Sequence, residues 1–309
     1  MTPVEHHYAQ INGHTVHYVE AGPSEIPMQG KAKTLIFFHG FPEYWGSWQQ
    51  QIDYFSRQYR VIVPDLIGYN TSDKPTELSF YQLPNLISFY ADFIRQVSAQ
   101  TQVSLIAHDW GGAIAWPLAA FHRTLFDKLV ILNAAHPSTF TREMINNPEQ
   151  RKKSAYIHQL ISPNAEQLLI ENNYAFLREM LFEQIQGIQL SAQWKNAYIE
   201  AWKKPGAIQG MLNYYRSMPQ LASNEEIDVR DNDSVKAVSQ MKIPNIRIDL
   251  PTLILWGEQD EAFVSNILDN IETYVVDCEI VRFPQASHWL HHEQSDTVNK
   301  NIALFLEKV

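Results

Sequence analysis

Residues 103–121 hold a buried-strand pattern and a helix pattern almost back to back. Val103-Ser-Leu-Ile-Ala107 and Ala113-Ile-Ala-Trp-Pro-Leu-Ala-Ala-Phe121 are separated only by His108-Asp-Trp-Gly-Gly112. The first run reads as a parallel strand buried on both faces, the second as the helix that follows it. Reversing direction in so few residues demands a sharp, strained turn. Its neighbours must be small so that the returning helix can lie against the strand, and Ala107, Gly111 and Gly112 meet that need. The apex is Asp109. An aspartate there can act simply as a helix N-cap. It can also serve chemistry, because the free N–H groups and dipole of a helix N-terminus favour an ionised, nucleophilic carboxylate.

The strand-helix rhythm continues along the chain. Thr34–Phe38, Arg60–Pro64, Leu129–Leu132, Thr252–Trp256 and Cys278–Phe283 are further short apolar runs with amphipathic segments between most of them. That is the signature of an α/β chain with a mostly parallel sheet. His7–Ile11 and Thr15–Glu20, joined by Asn12-Gly13, predict an antiparallel hairpin at the sheet edge. Thr297–Lys308 predicts a closing helix. Between about 138 and 235 the rhythm stops, and Pro148–Ile161, Ala165–Leu181, Ser191–Lys203 and Ala207–Met218 carry helical periodicity, with breaks at Ser162-Pro163-Asn164 and Pro205-Gly206. Asn224–Ser234 reads as an exposed return loop. The expectation is a core domain of residues 1–137 and 236–309 with a helical cap, 138–235, roofing the turn and enclosing a pocket.

Composition narrows the partners. The 309 residues are 45% hydrophobic and 19% charged, enough for a large core. A net charge of −10 with no stripe of Lys or Arg gives nucleic acid or an anionic membrane no electrostatic footprint. The single cysteine, Cys278, excludes an internal disulfide framework and reads as a packed thiol in a reducing compartment. With no signal-like N-terminus and no run of membrane-spanning length, the cytoplasm is the expected location. Twelve histidines include no His-Glu-x-x-His and no Cys/His cluster with ligand spacing, so no metal is expected. His6-His7 and His291-His292 are expected at the surface.

The nucleophile's identity selects the chemistry. A carboxylate attacking an acyl carbon would give a reactive anhydride, whereas at sp³ carbon it can displace a halide or open an epoxide and leave an ester for water to cleave. His39-Gly-Phe-Pro follows the strand Thr34–Phe38 and can aim a backbone N–H at the turn, so Phe41 and Trp110 are the expected oxyanion-hole amides. His288, in Ala286-Ser-His-Trp289 after the last strand, is the expected base, neutral near its reference pKa of about 6.5. Its acid partner should follow Leu253–Trp256. Asp260 fits best, with Glu258 as a rival and Glu261 as a solvated loop residue.

Together, His39-Gly-Phe-Pro, Asp65-Leu-Ile-Gly-Tyr-Asn-Thr-Ser-Asp-Lys-Pro75, His108-Asp-Trp-Gly-Gly112, Gly257-Glu-Gln-Asp260 and Ser287-His-Trp289 resemble the epoxide hydrolases of the α/β-hydrolase superfamily. The resemblance spans most of the chain. It implies the α/β-hydrolase fold, no cofactor, and an apolar epoxide and water as reactants. It extends into the cap, where Gly210-Met-Leu-Asn-Tyr-Tyr-Arg216 and the segment before Pro163 match the segments carrying two ring-opening tyrosines, here Tyr215, with Tyr214 as rival, and Tyr156. Ile67, where many relatives carry Arg, and Ala107, in place of Gly, depart from the pattern. Haloalkane dehalogenases share the Asp-Trp pair and form the alternative. A halide wants N–H donors, commonly the indole after the nucleophile plus an Asn near position 41 or a second Trp in the cap, and Phe41 does not fit the Asn version. An epoxide oxygen leaves as a basic alkoxide and needs an acid, which a tyrosine of pKa about 10 can be. Fluoroacetate dehalogenases carry Arg after the nucleophile, where this chain has Trp110.

Overall fold

The computed structural model describes residues 2–23, 33–99, 101–217 and 242–308. Eight strands form one sheet in the order β1-β2-β4-β3-β5-β6-β7-β8: Glu5–Ile11, His14–Ala21, Thr34–Phe38, Arg60–Pro64, Val103–His108, Phe126–Leu132, Thr252–Gly257 and Cys278–Phe283 for β1 to β8. The hairpin β1–β2 lies at one edge, with Asn12 (φ 48°) and Gly13 (φ 86°) in the left-handed conformations its tight turn needs. β2 meets β4 antiparallel, and every pairing from β4 to β8 is parallel. β6 begins three residues earlier than its apolar run predicts, at Phe126.

The alternation of side chains along each strand produces two apolar layers. Ile36, Phe38, Leu105, Leu129, Ile131, Ile254 and Trp256 face one way and pack with helices α2 (Leu83–Val97) and α3 (Trp110–Phe121). Leu35, Phe37, Ile106, Val130, Leu132, Leu253 and Leu255 face the other way, toward α1 (Gln49–Phe55) and the final helix Ser295–Glu307. Each fully buried Phe or Leu contributes about 1.5–3 kcal/mol. Parallel strands burying both faces explain the unbroken apolar runs in the sequence.

Between β6 and β7 the described chain is helical, though more broken than its periodicity predicts. Pro148–Ile161 is not one helix. It divides into α5 (Pro148–Lys153) and α6 (Tyr156–Ile161), preceded by α4 (Pro137–Asn146). Ala165–Leu181 is also interrupted: α7 (Ala165–Arg178) contains non-helical backbone from Glu171 to Tyr174, with the paired asparagines 172 and 173 at positive φ, and a π-turn follows over Glu179–Glu183. Asparagine tolerates that region better than most residues. α8 (Ala192–Trp202) and α9 (Ala207–Arg216) agree with expectation as far as the described residues run. The return loop read at 224–234 and the boundary at 235 lie outside the described residues. Ile157, Leu160, Tyr198, Trp202 and Leu212 join the apolar layer of α2 and α3, so the helical segment shares its core with one face of the sheet. Among the described residues, no helix is long and apolar enough to cross a membrane.

Candidate active site

All parallel strands point the same way, so the loops after β3, β5, β7 and β8 converge at one end of the sheet, where α/β folds bind ligands. Those loops carry Phe41, Asp109, Asp260 and His288. Asp109 has φ 49° and ψ −120°, a strained conformation for a residue with a side chain. The strain is held in place by crowding. A Cβ on Gly111 would lie 2.5 Å from the Phe38 carbonyl oxygen, and one on Gly112 would lie 2.2 Å from Ala134 Cβ. Ala107 needs no such space, its methyl being buried in the sheet core.

The Asp109 side chain makes no cap hydrogen bond to α3. It turns instead toward the β3 loop, and its Oδ1 accepts the Phe41 N–H at 2.7 Å. Among the described residues Phe41 is the one amide donating to this carboxylate, so the Trp110 N–H is not engaged by it here. Trp110 contributes its ring, edge-on to Tyr215 at 5.2 Å and to Tyr214 at 5.3 Å.

His288 Nε2 lies 3.7 Å from Asp109 Oδ2, and His288 Nδ1 lies 2.8 Å from Asp260 Oδ2. Asp260 also accepts from the N–H groups of Ala262 and Phe263 and from Asn133 Nδ2. Burial alone would raise its carboxyl, but the His288 charge and these hydrogen bonds hold it below the usual range. Glu258 points elsewhere, bonded to Ser265 Oγ and Arg282, and Glu261 is exposed. Burial disfavours a charged His288. The Asp260 charge, the near approach of Asp109 Oδ2, the hydrogen bond to Asp260 and the Asp109 charge outweigh burial and raise it from 6.5 to about 10. That direction favours the protonated imidazole at rest, against the neutral form expected from its reference pKa.

Two cavities meet at Asp109, Tyr156 and Tyr215. One, of about 730 Å³, is lined by apolar groups including Leu83, Ile87, Trp110, Phe140, Ile246 and Phe263. The other, of about 370 Å³, reaches Phe41 and His288 and is rimmed by Glu149, Lys152, Lys153 and Glu261. The rings of Tyr156 and Tyr215 meet edge-on at 6.3 Å, and Tyr215 also packs edge-on against Phe41 at 5.1 Å. Burial, reinforced by the Asp109 charge, raises both phenols well above 10, so both are protonated at neutral pH. Tyr214 faces away, donating its hydroxyl to the Ile67 carbonyl at 2.8 Å. Ile67 is wholly buried and far from a role in charge. Cys278 is a packed thiol, pushed by burial up to about 12.

Some residues here have no motif to announce them. Asn133, at φ 36° directly after β6, bonds Asp260 and both the N–H and C=O of Gly257, locking the acid loop. Its sequence signal is only its place at the end of a parallel strand. Lys153 donates to the Asp260 carbonyl at 2.6 Å. The expectation that His291 and His292 are surface residues fails: both are buried, with their Nε2 atoms 3.3 and 2.8 Å from Glu43 Oε1. They sit on the short helix Leu290–Glu293, three of whose four residues are buried, and Glu43 gives both imidazoles a partner there. Among the described residues, Glu43, His108 and His291 also form a group whose potential ligand atoms lie within 4.8 Å of one another.

A carboxylate held on an amide, a second carboxylate behind an imidazole and two protonated phenols thus converge where two cavities meet. Comparison with known proteins places the chain itself. Residues 33–295 match the family model of the α/β hydrolase fold. The chain is 32% identical to epoxide hydrolase 2 of Caenorhabditis elegans, over 98% of its own length and 80% of that protein, and 32% identical to human epoxide hydrolase 4, over 98% and 79%. The structure of a Bacillus megaterium epoxide hydrolase in complex with an inhibitor superposes with a TM-score of 0.82 at 31% identity, covering 98% of this chain and all of that one. A variant of the Bacillus megaterium enzyme, solved with its product (R)-3-[1]naphthyloxy-propane-1,2-diol, superposes at 0.84 with 30% identity over 98% of this chain and 100% of that one. With fold, length and sequence agreeing nearly end to end, the chain belongs to the epoxide hydrolases of the α/β-hydrolase superfamily, hydrolases that act on ether bonds.

Proposed function

We propose that the enzyme converts apolar epoxides to vicinal diols through an ester on Asp109. Tyr156 and Tyr215 bind the epoxide oxygen while Asp109 Oδ2 attacks a ring carbon. The ring C–O bond breaks, its electron pair goes to oxygen, and a tyrosine supplies the proton. Water then attacks the ester carbonyl carbon as His288, oriented by Asp260, takes its proton. The N–H groups of Phe41 and Trp110 hold the oxyanion, and the acyl C–O bond breaks as the departing oxygen takes up a proton, releasing the diol and restoring the Asp109 carboxylate.

The protonated His288 of the resting state fits this order. Asp109 contributes to raising its pKa. Esterification removes the Asp109 charge and so weakens the imidazole's hold on its proton, which passes to the tyrosinate left by ring opening and leaves His288 as the base for the next step. The observation that carries the proposal is the division of the two Asp109 oxygens: Oδ1 on the Phe41 amide, Oδ2 toward His288.

The residues 138–235 act as the cap, and 1–137 with 236–309 as the core. The apolar lining of the larger cavity and the aryl ether product of the Bacillus megaterium relative support apolar, aryl-substituted epoxides as substrates. Halide displacement draws less support, because Phe41 has no side-chain amide and two protonated phenols face the nucleophile. Asp109→Asn, with its fold intact by circular dichroism and deamidation excluded by mass, should lose diol formation by a factor on the order of 10⁴ or more. Undiminished turnover in that variant contradicts the scheme.

A further inference from the structure

Glu43 is buried at 1% exposure just beyond the oxyanion loop, and the proposed chemistry gives it no part. Its surroundings are unusually rich in donors. His108 Nδ1 lies 3.2 Å from Oε2. His291 Nε2, His292 Nε2 and the Tyr198 hydroxyl lie 3.3, 2.8 and 3.3 Å from Oε1. One carboxylate therefore joins three parts of the site. His108 immediately precedes Asp109, His291 and His292 lie just beyond His288, and Tyr198 comes from α8 above.

His108 carries the connection further. Its Nε2 donates to the main-chain carbonyl of His288 at 3.0 Å, and its ring lies 4.7 Å from the His288 ring. Both nitrogens of His108 thus face oxygen acceptors, one a carboxylate and one a carbonyl, so the imidazole bridges Glu43 to the backbone of the base. Burial alone would raise the Glu43 carboxyl, but the neighbouring His291 and the hydrogen bonds from His108, His291 and His292 hold it well below the usual range. A buried carboxylate so fully supplied with donors is a rigid anchor.

We propose that Glu43 and His108 are positioning residues for His288, setting the turn that aims its Nε2 at the Asp109 ester and so governing the hydrolytic step rather than the alkylation step. This rests on the Asp109 ester reading above. Misplacing a catalytic group by about 1 Å costs roughly 100-fold. In a two-step scheme, slowing only hydrolysis lowers kcat and KM together, leaves kcat/KM unchanged and makes the ester accumulate.

The test uses Glu43→Gln, which sets an NH₂ donor among N–H donors while keeping shape, and His108→Gln as a second variant should the first fail to fold. Steady-state kinetics with an aryl epoxide are paired with rapid acid quench and intact-protein mass. The expected result is a roughly 10- to 100-fold fall in both kcat and KM, near-constant kcat/KM, and accumulated ester, with partial recovery in Glu43→Asp. A fall in kcat/KM without ester, or unchanged kinetics in a folded variant, overturns the proposal. His288→Gln serves as the control: ester there but none in Glu43→Gln refutes the positioning role alone, whereas no ester in His288→Gln removes the covalent reading and this one with it.

Discussion

The Phe41 N–H donates to Asp109 Oδ1 at 2.7 Å, so the proposed oxyanion-hole donor already holds one oxygen of the proposed nucleophile in the resting molecule. The other oxygen is left to face the cavity and His288. The oxygen destined to carry the developing charge during hydrolysis is therefore bound before any substrate arrives, and the hole costs little reorganisation when the charge forms. The cis Phe41–Pro42 peptide and Gly40 shape the loop that presents this amide.

Gly40 gives a direct test of that placement. A Cβ there would lie 2.4 Å from both Cβ and Oδ1 of Asp109. Gly40→Ala must therefore displace the carboxylate, the loop or both, and kcat/KM for epoxide opening should fall roughly 100-fold. Stopped-flow kinetics on the folded variant measure it.

The two phenols should act together. Tyr156→Phe and Tyr215→Phe each remove one hydroxyl from a residue that lines both cavities and should each lower the alkylation rate about 10- to 100-fold, the double variant falling by about 10³ or more. Tyr214→Phe removes a bond to the Ile67 carbonyl instead and should cost stability with little loss of rate. Single-turnover rates and thermal melts on the same samples separate the two effects.

The His288 pKa makes a prediction about stability. A histidine raised from 6.5 to about 10 in the folded state stabilises the fold fully below 6.5, and that contribution is lost as pH rises through about 10. The Tm advantage of the wild type over His288→Gln should accordingly shrink across this interval. A constant difference would mean that the resting imidazole is neutral throughout.

Gly111 tests the turn itself. A Cβ at that position meets the Phe38 carbonyl oxygen at 2.5 Å, and backbone on a central strand cannot move aside cheaply. Gly111→Ala should destabilise by about 1–3 kcal/mol. Thermal and urea denaturation measure the loss.

Much of this was legible in residue order because strand ends dictate position. Buried parallel strands leave apolar runs, and the first residues after them must lie at one end of the sheet, which brings Asp109, Asp260 and His288 together. Three things were not legible for physical reasons. The breaks at Ser154-Ala155 and Glu171–Tyr174 fall inside runs whose apolar periodicity continues through them, so periodicity does not mark them. The protonation of His288 depends on two carboxylates distant in sequence. The burial of His291 and His292 depends on Glu43, about 250 residues away along the chain, which gives their polar nitrogens a partner.

The most direct test of the Asp109 ester follows one oxygen atom. With enzyme in excess over epoxide in heavy-oxygen water, a single turnover should yield a diol carrying no label, because its new oxygen comes from Asp109. The peptide containing Asp109 should then carry one heavy oxygen in its carboxylate. Label in the first-turnover diol and none in the Asp109 peptide would show water attacking the epoxide directly, and would contradict the account.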